Sequence, residues 1–529
     1  MRLTDGSSQD AFVPAKAGRA WKFLCVAAAG LVLSPGLHAQ GWTSFGYDTN
    51  NSANNPAETM ISTKSVSKLA PKWKFTTGGD VSARAAVAKG VVYFPDWAGN
   101  LWALNSQDGS KVWSVQLSSY GFPAGTVSRT TPAVEHGVLY LGTQQGASVL
   151  AIDAKTGALI WKTQVESVDV DAVVTVSPTV FGGVVYTGVA STQEAIPGGG
   201  PGTAKGSFVA LDAASGNILW KTYSTVAGYT GAGVWGSNPV IDPESGTMFL
   251  GTGDNYTAPT DPNYLSCIGG GGTAATCQSP NNHVDSIEAL DIHTGQVKWS
   301  YRALTWNQYG ANSGSDFFNL SCLYGILGCP SPAGPDFDFG QAPSLITYRT
   351  ASGKKATILG AGNKSGIYFA FDPATGAVLW QTQVGPGSAL GGMEWGSATD
   401  GTRIYVADAN LYGIPWGGGT GGFFAALDPA TGTVLWKTAD PSGAMDLGPL
   451  AVANGVLYAP SLAGAATAPT MLALDASTGQ ILWNYAAGSS VIAGAAITDG
   501  SVYWGSGYSH LGKLGTAGHT FYAFSIGGK

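Results

Sequence analysis

Seven segments of this chain share one pattern, and that pattern decides what the chain can fold into. They read LWALNSQDGSKVW, VLAIDAKTGALIW, FVALDAASGNILW, IEALDIHTGQVKW, YFAFDPATGAVLW, FFAALDPATGTVLW and MLALDASTGQILW. Each is a β-rich run ending in Ala-Leu or a near equivalent, then Asp or Asn, a Gly-containing turn, a short strand and a tryptophan. The tryptophans are Trp113, Trp161, Trp220, Trp299, Trp380, Trp436 and Trp483. A repeat of roughly 40–50 residues built from strands and tight turns predicts a β-propeller. Trp73 in APKWKF lacks its preceding strand, and TFYAFSIGGK at the C-terminus has the strand without its tryptophan. Together they complete one more repeat. The expected fold is therefore all-β, an eight-bladed propeller whose last blade is closed by strands from both termini. Such closure removes an open sheet edge.

The repeat has a physical logic. Asp153, Asp212, Asp291, Asp372, Asp428 and Asp475 begin turns, where a carboxylate caps backbone amides. Gly157, Gly216, Gly295, Gly376, Gly432 and Gly479 supply positive φ. The alanines suit tight packing near a central axis, and the tryptophans fill the seams between blades. After the N-terminal region no long stretch has helical periodicity, and charged residues are only 11% of the chain.

Residues 1–39 read as an export leader. Arg19 and Lys22 precede the apolar run 23–33, and Leu37-His38-Ala39 resembles a cleavage site. The run is too short to span a bilayer. Residues 40–529 would form the propeller. The whole chain carries −7; the leader has four basic and two acidic residues, so the remainder carries −9. With no basic stripe, nucleic acid is not an expected partner. Cys25 lies in the leader. Cys267 and Cys277, then Cys322 and Cys329, enclose short loops and suggest two local disulfides, though three pairings are formally open. No Cys-x-x-Cys-His occurs, so no covalently attached haem is expected.

Function should lie where the repeat is stretched. Trp113 to Trp161 is 48 residues and Trp436 to Trp483 is 47, but Trp220 to Trp299 is 79 and Trp299 to Trp380 is 81. Long loops grouped on one rigid scaffold form binding faces. Beside these insertions stand Glu194, the Asp254-Asn255 pair, and Asp336 with Asp338. Carboxylates plus an amide oxygen suit a hard divalent cation.

These residues support a resemblance. The repeat, with FPDWAGNLWAL, SRTTPAV, GTGDNYT, ALTW and PDFDFG, resembles the quinoprotein alcohol dehydrogenases that use pyrroloquinoline quinone (PQQ), and most of all their polyvinyl alcohol dehydrogenase branch. The resemblance covers nearly all of the chain after the leader. It implies that Glu194, Asn255 and Asp338 hold Ca²⁺, with Asp254 or Asp336 as neighbours able to substitute, and that Asp338 is the general base. It implies that Trp235 lies under the quinone ring, that Arg129 pairs with a PQQ carboxylate, that Thr175 and Ser191 bond the cofactor edge, and that Lys364 contacts the quinone oxygens. Lanthanide-using relatives have an extra Asp two residues after the base; Gly340 stands there, which favours Ca²⁺. Adjacent cysteines found in many relatives are absent. Without a haem motif, a soluble cytochrome c is the implied electron acceptor. The expected activity is oxidation of alcohols, secondary or polymeric, in the periplasm. The competing expectation is a non-catalytic propeller scaffold of the outer-membrane assembly type.

Overall fold

A computed structural model describes residues 41–194, 202–236, 238–257, 259–303, 336–510 and 514–529. The chain divides into Met1–His38, outside the described residues, and Ala39–Lys529. The second unit is an eight-bladed propeller. Blade 1 runs Ala86–Ala88, Val91–Pro95, Asn100–Asn105 and Lys111–Gln116, all antiparallel. Blades 2 to 7 repeat this order, their innermost strands being Ala133–Glu135, Thr179–Phe181, Val240–Asp242, Ser344–Arg349, Ala398–Thr399 and Ala451–Ala453. Blade 8 takes Ala496–Thr498, Ser501–Gly505 and Thr520–Ile526 from the C-terminus, and Leu69–Thr76 as its outer strand. That is the expected closure from both termini. The insertion of blade 4 adds the short helices Pro262–Gly269 and Ala274–Cys277, which periodicity did not reveal, and the Cys267–Cys277 disulfide that ties them. Cys322 and Cys329 lie outside the described residues.

Burial follows strand position. Middle strands such as Ile404–Asp408 and Phe423–Leu427 are buried throughout, while outer strands such as Leu159–Gln164 alternate half-buried and exposed residues. Period-two exposure is what a strand covered on one face shows.

The seam chemistry is uniform. Each repeat tryptophan donates its indole N–H to a backbone carbonyl of the next blade at 2.9–3.2 Å, from Trp73 to Ser106 round to Trp483 to Leu69. Except at Trp483, its ring lies against the turn glycine of that blade. A Cβ on Gly295 would sit 2.5 Å from Trp220, and Gly295 has φ +70°. The motif alanine has a different role from the one expected. It lies on the third strand directly opposite the tryptophan, as in Ala289↔Trp299 and Ala473↔Trp483, away from the central axis. A bulge falls just after it in each of blades 1 to 7. The small side chain leaves room for the indole.

The sequence pattern did not foretell what residues 42–55 do. They run round the narrow channel and bond the inner strands of blades 1, 2, 4, 5, 6, 7 and 8. Val87 N–H donates to Trp42 O, Val134 to Thr43 O, Ile241 to Thr49 O, Leu345 to Asn50 O, Thr399 to Ser52 O and Val452 to Ala53 O. Asn55 Nδ2 completes the ring by donating to Ile497 O at 2.8 Å.

Candidate functional site

The polar residues singled out in the sequence sit on loops that lead into innermost strands or leave second strands. Arg129 precedes the first strand of blade 2, Thr175 that of blade 3 and Trp235 that of blade 4. Asp254 follows the second strand of blade 4, Thr247–Gly251, and Lys364 follows that of blade 5, Lys355–Gly362. Asp336 and Asp338 precede Gln341–Ala342, which pairs in parallel with Trp395–Gly396 and links the approaches to blades 5 and 6. Backbone bonds sew these segments together: Lys364 N–H donates to Asp338 O, and Gly392 N–H to Lys364 O.

At the centre lie three buried carboxylates, Asp254, Asp336 and Asp338, each offering an oxygen within 4.8 Å of the others. Lys364 Nζ bridges two of them, at 2.8 Å from Asp336 Oδ1 and 3.0 Å from Asp338 Oδ2. Trp235 Nε1 also donates to Asp338 Oδ2, at 2.7 Å. Asp338 Oδ1 is buried with no hydrogen-bond partner among the described residues. Lys364 Nζ stands 5.1 Å from the centroid of the Trp235 ring. Asp336 and Trp395 both adopt left-handed backbone, each with φ 55°. Strained non-glycine conformations of this kind gather at functional sites.

Two glycines keep the space open. A Cβ on Gly340 would meet the Trp235 ring at 2.3 Å, and one on Gly253 would meet the Asp338 carboxylate at 3.0 Å. Gly340 thus lies against the indole face of Trp235.

The other expected residues fall as follows. Thr175 Oγ1 donates to Trp235 O at 2.9 Å and so braces the indole. Ser191 Oγ donates to Val170 O at 2.6 Å and accepts from Gln193 N–H, within its own blade. Asn255 is fully buried; its Oδ1 accepts from Asn282 Nδ2 at 2.9 Å, and Gln278 Oε1 accepts from Asn282 at 2.6 Å. Glu194 ends the 3-10 turn Thr192–Glu194, and its side chain lies outside the described residues. Arg129 places its guanidinium 4.4 Å over the Trp395 ring, which meets Trp235 edge-on at 5.4 Å.

Sequence reasoning missed Glu394 and Trp395. Burial pushes the Glu394 carboxyl up to about 7, Asp338 adds to the rise, and Lys364 and Arg129 pull it back. Glu394 therefore belongs to the same electrostatic cluster. The only signal was a carboxylate in the glycine-rich stretch GGMEWGS, at neither an insertion nor a strand end.

The donor set fits a hard divalent cation: three buried carboxylates offer oxygens close together, Lys364 bridges two of them, and Asp338 Oδ1 has no partner among the described residues. The flat faces of Trp235 and Trp395 beside Arg129 fit an aromatic anion.

Comparison with known proteins finds relatives over most of the chain. The family model described as "Outer membrane protein assembly factor BamB" matches residues 67–230, 128–262 and 363–513. A polyvinylalcohol dehydrogenase of Sphingopyxis sp. is 32% identical over 403 residues, covering 70% of this chain and 55% of the relative. A second polyvinylalcohol dehydrogenase, from Pseudomonas sp., is 27% identical over 546 residues, covering 92% of this chain and 77% of the relative. The chain thus spans about half to three quarters of the length of these relatives. The crystal structure of a quinohemoprotein alcohol dehydrogenase from Pseudomonas putida superimposes with a TM-score of 0.70 at 19% identity, covering 93% of this chain and 81% of that one, a likeness of fold. With the blade repeat, the carboxylate cluster and these relatives in view, the chain belongs to the PQQ quinoprotein alcohol dehydrogenase family, in its polyvinyl alcohol dehydrogenase-like branch.

Proposed function

We propose that this protein is an exported PQQ- and Ca²⁺-dependent dehydrogenase of secondary alcohols, polyvinyl alcohol among them, which passes electrons to a soluble cytochrome c. The observation that carries this reading is Asp338, a buried carboxylate with Oδ2 held by Trp235 and Lys364 and Oδ1 clear of described partners. The names of its relatives support the substrate class. The apolar run at 23–33 supports export, and no described helix is long and apolar enough to cross a membrane.

Asp254, Asp336 and Asp338 would hold the cation, with Asn255 and Glu194 on neighbouring blades as further oxygen donors. PQQ supplies, when bound, a quinone that accepts hydride from a carbinol carbon. The chain's own part is position and charge. Trp235 and Trp395 offer apolar faces, and Arg129 offers a bidentate fork for a carboxylate. Asp338 Oδ1 takes the alcohol proton as general base. Lys364 carries positive charge to where negative charge develops on a bound oxidant. Burial of these groups excludes water and strengthens each interaction.

The test is titration of the purified protein with PQQ and Ca²⁺ while following dye reduction by a secondary alcohol. Wild type is expected to show saturable, Ca²⁺-dependent turnover. Asp338→Ala should bind PQQ yet turn over about 10²–10⁴-fold more slowly, the span for losing a general base. Full turnover in that variant would remove the assignment. The matching family model keeps a second reading in play, a propeller scaffold of the outer-membrane assembly type; failure of the wild type to bind PQQ at all would favour it.

A further inference from the structure

Arg84 carries a deeply buried charge outside the carboxylate cluster. It stands two residues before the inner strand of blade 1 and is 1% exposed. Its Nη1 donates to Phe45 O and its Nη2 to Leu450 O at 2.7 Å and Pro449 O at 3.3 Å. The guanidinium lies 5.1 Å from the Trp42 ring and 5.0 Å from the Phe45 ring. Every one of these partners is neutral. No described carboxylate is within ion-pairing distance, and Nε is buried without a partner. The space is shaped for this group, since a Cβ on Gly494 would come within 2.4 Å of Nη2. Burial lowers its pKa to about 9, which still leaves it cationic at neutral pH. Buried charges in proteins are normally paired, and among the described residues Arg84 has no anion beside it.

The surroundings offer a place for one. Arg84 lines a cavity of ≈20 Å³ together with Arg129, Ser82, Thr131, Thr175 and Ser177. The other walls come from blades 6, 7 and 8 and from Phe45 of the N-terminal ring, so the cavity lies at the propeller's centre. Thr131 Oγ1 is buried without a partner, and Ser177 Oγ accepts from Thr131 N–H, keeping its own proton to donate. Among the described residues, the lining therefore holds two guanidiniums and several hydroxyls but no carboxylate. On this measure the space takes about one water-sized group.

We propose that this cavity is an axial anion site, in which Arg84 and Arg129 together hold one small negative group. The group is either a halide or one carboxylate of the cofactor, and only the second source rests on the dehydrogenase reading.

Bromide is the probe. Crystals of cofactor-free protein grown in bromide are expected to show an anomalous peak between Arg84 and Arg129. In solution at constant ionic strength, bromide or chloride should raise the melting temperature over gluconate, because a ligand that binds only the folded state stabilises it. Arg84→Gln should lose that dependence and, where a cofactor carboxylate is the occupant, bind PQQ at least 10-fold more weakly. Loading PQQ separates the sources: loss of the bromide peak assigns the site to a cofactor carboxylate, and its persistence assigns it to a free halide. The proposal is overturned if the wild type shows no peak and no halide-specific shift, and Arg84→Gln binds PQQ like wild type. Should that variant not fold, a PQQ-loaded structure in which no carboxylate reaches Arg84 replaces the last arm.

Discussion

The Lys364 ammonium bridges Asp336 and Asp338 in the resting protein, at 2.8 and 3.0 Å. Lys364→Met leaves buried carboxylates uncompensated, a change that typically costs about 3–5 kcal/mol. Urea unfolding should show that loss in metal-free protein and a partial recovery on adding Ca²⁺, because the ion replaces the missing charge. No recovery would argue against a cation among these carboxylates. Gly340→Ala tests the indole floor: its Cβ would sit 2.3 Å from the Trp235 ring, so the ring or the backbone must shift. Overpacking of this kind costs about 1–3 kcal/mol, and PQQ affinity should fall along with the melting temperature. At this scale the sequence was partly legible. Asp338 stands in a short motif beside an insertion, Trp235 and Lys364 came from the family resemblance, and the structure brings the three together. Glu394 and Arg84 were invisible, because what sets them apart is burial among neighbours supplied by other blades. Asp254 and Asp336 were noted only as neighbours of the chosen ligands. Which of two nearby carboxylates faces a cluster depends on backbone dihedrals such as the positive φ of Asp336, and those are not written in a spacing.

Among the elements, the seam between two blades is the repeating unit of stability. A tryptophan contributes one indole hydrogen bond and a ring laid on a glycine, and an alanine across the strand makes the room. Gly295→Ala should be more destabilising than an ordinary glycine replacement. It sets a Cβ 2.5 Å from Trp220 and forces a side chain into φ +70°. Thermal denaturation should show a drop of several degrees, and Trp220→Gly in the same chain should relieve part of the steric term though not the backbone term. The seven-fold motif made this element readable before any coordinates, down to the tryptophan seams. The alanine was misread because the motif does not say which strand of a blade is innermost; pairing register does. The blade 4 helices Pro262–Gly269 and Ala274–Cys277 were unreadable for another reason. They are short, and no apolar face repeats in them long enough to signal a helix.

Over the whole molecule, buried acids set the response to pH. Burial pushes the Asp408 carboxyl up to about 7 and raises Asp440 and Asp446 as well. An acid whose folded pKa lies above its unfolded value binds a proton more tightly when folded. Its contribution is therefore complete below pH ~4 and is lost as pH rises through about 7. The turn aspartates Asp153, Asp212, Asp291 and Asp475 are held low by their Ser or Thr partners, and they lose their contribution only as pH falls below about 4. Metal-free protein should therefore be most stable in mildly acid buffer, near pH 4–5, and its melting temperature should decline towards pH 8; a maximum at or above pH 7 would contradict this. The ring of residues 42–55 is also a property of the whole. Asn55→Ala strips the Ile497 carbonyl of its buried partner and should cost about 1–3 kcal/mol by urea unfolding. This ring also sets an order of events. Synthesis delivers residues 42–55 before any blade, yet their partners include Val452 and Ile497, some 400 residues downstream. The segment's partners arrive in chain order, Val87 and Val134 first and Val452 and Ile497 last, so the circle shuts only when the last blades have formed. Contacts so distant in sequence make for slow folding, and a chain that stops short of Val452 and Ile497 cannot close the circle.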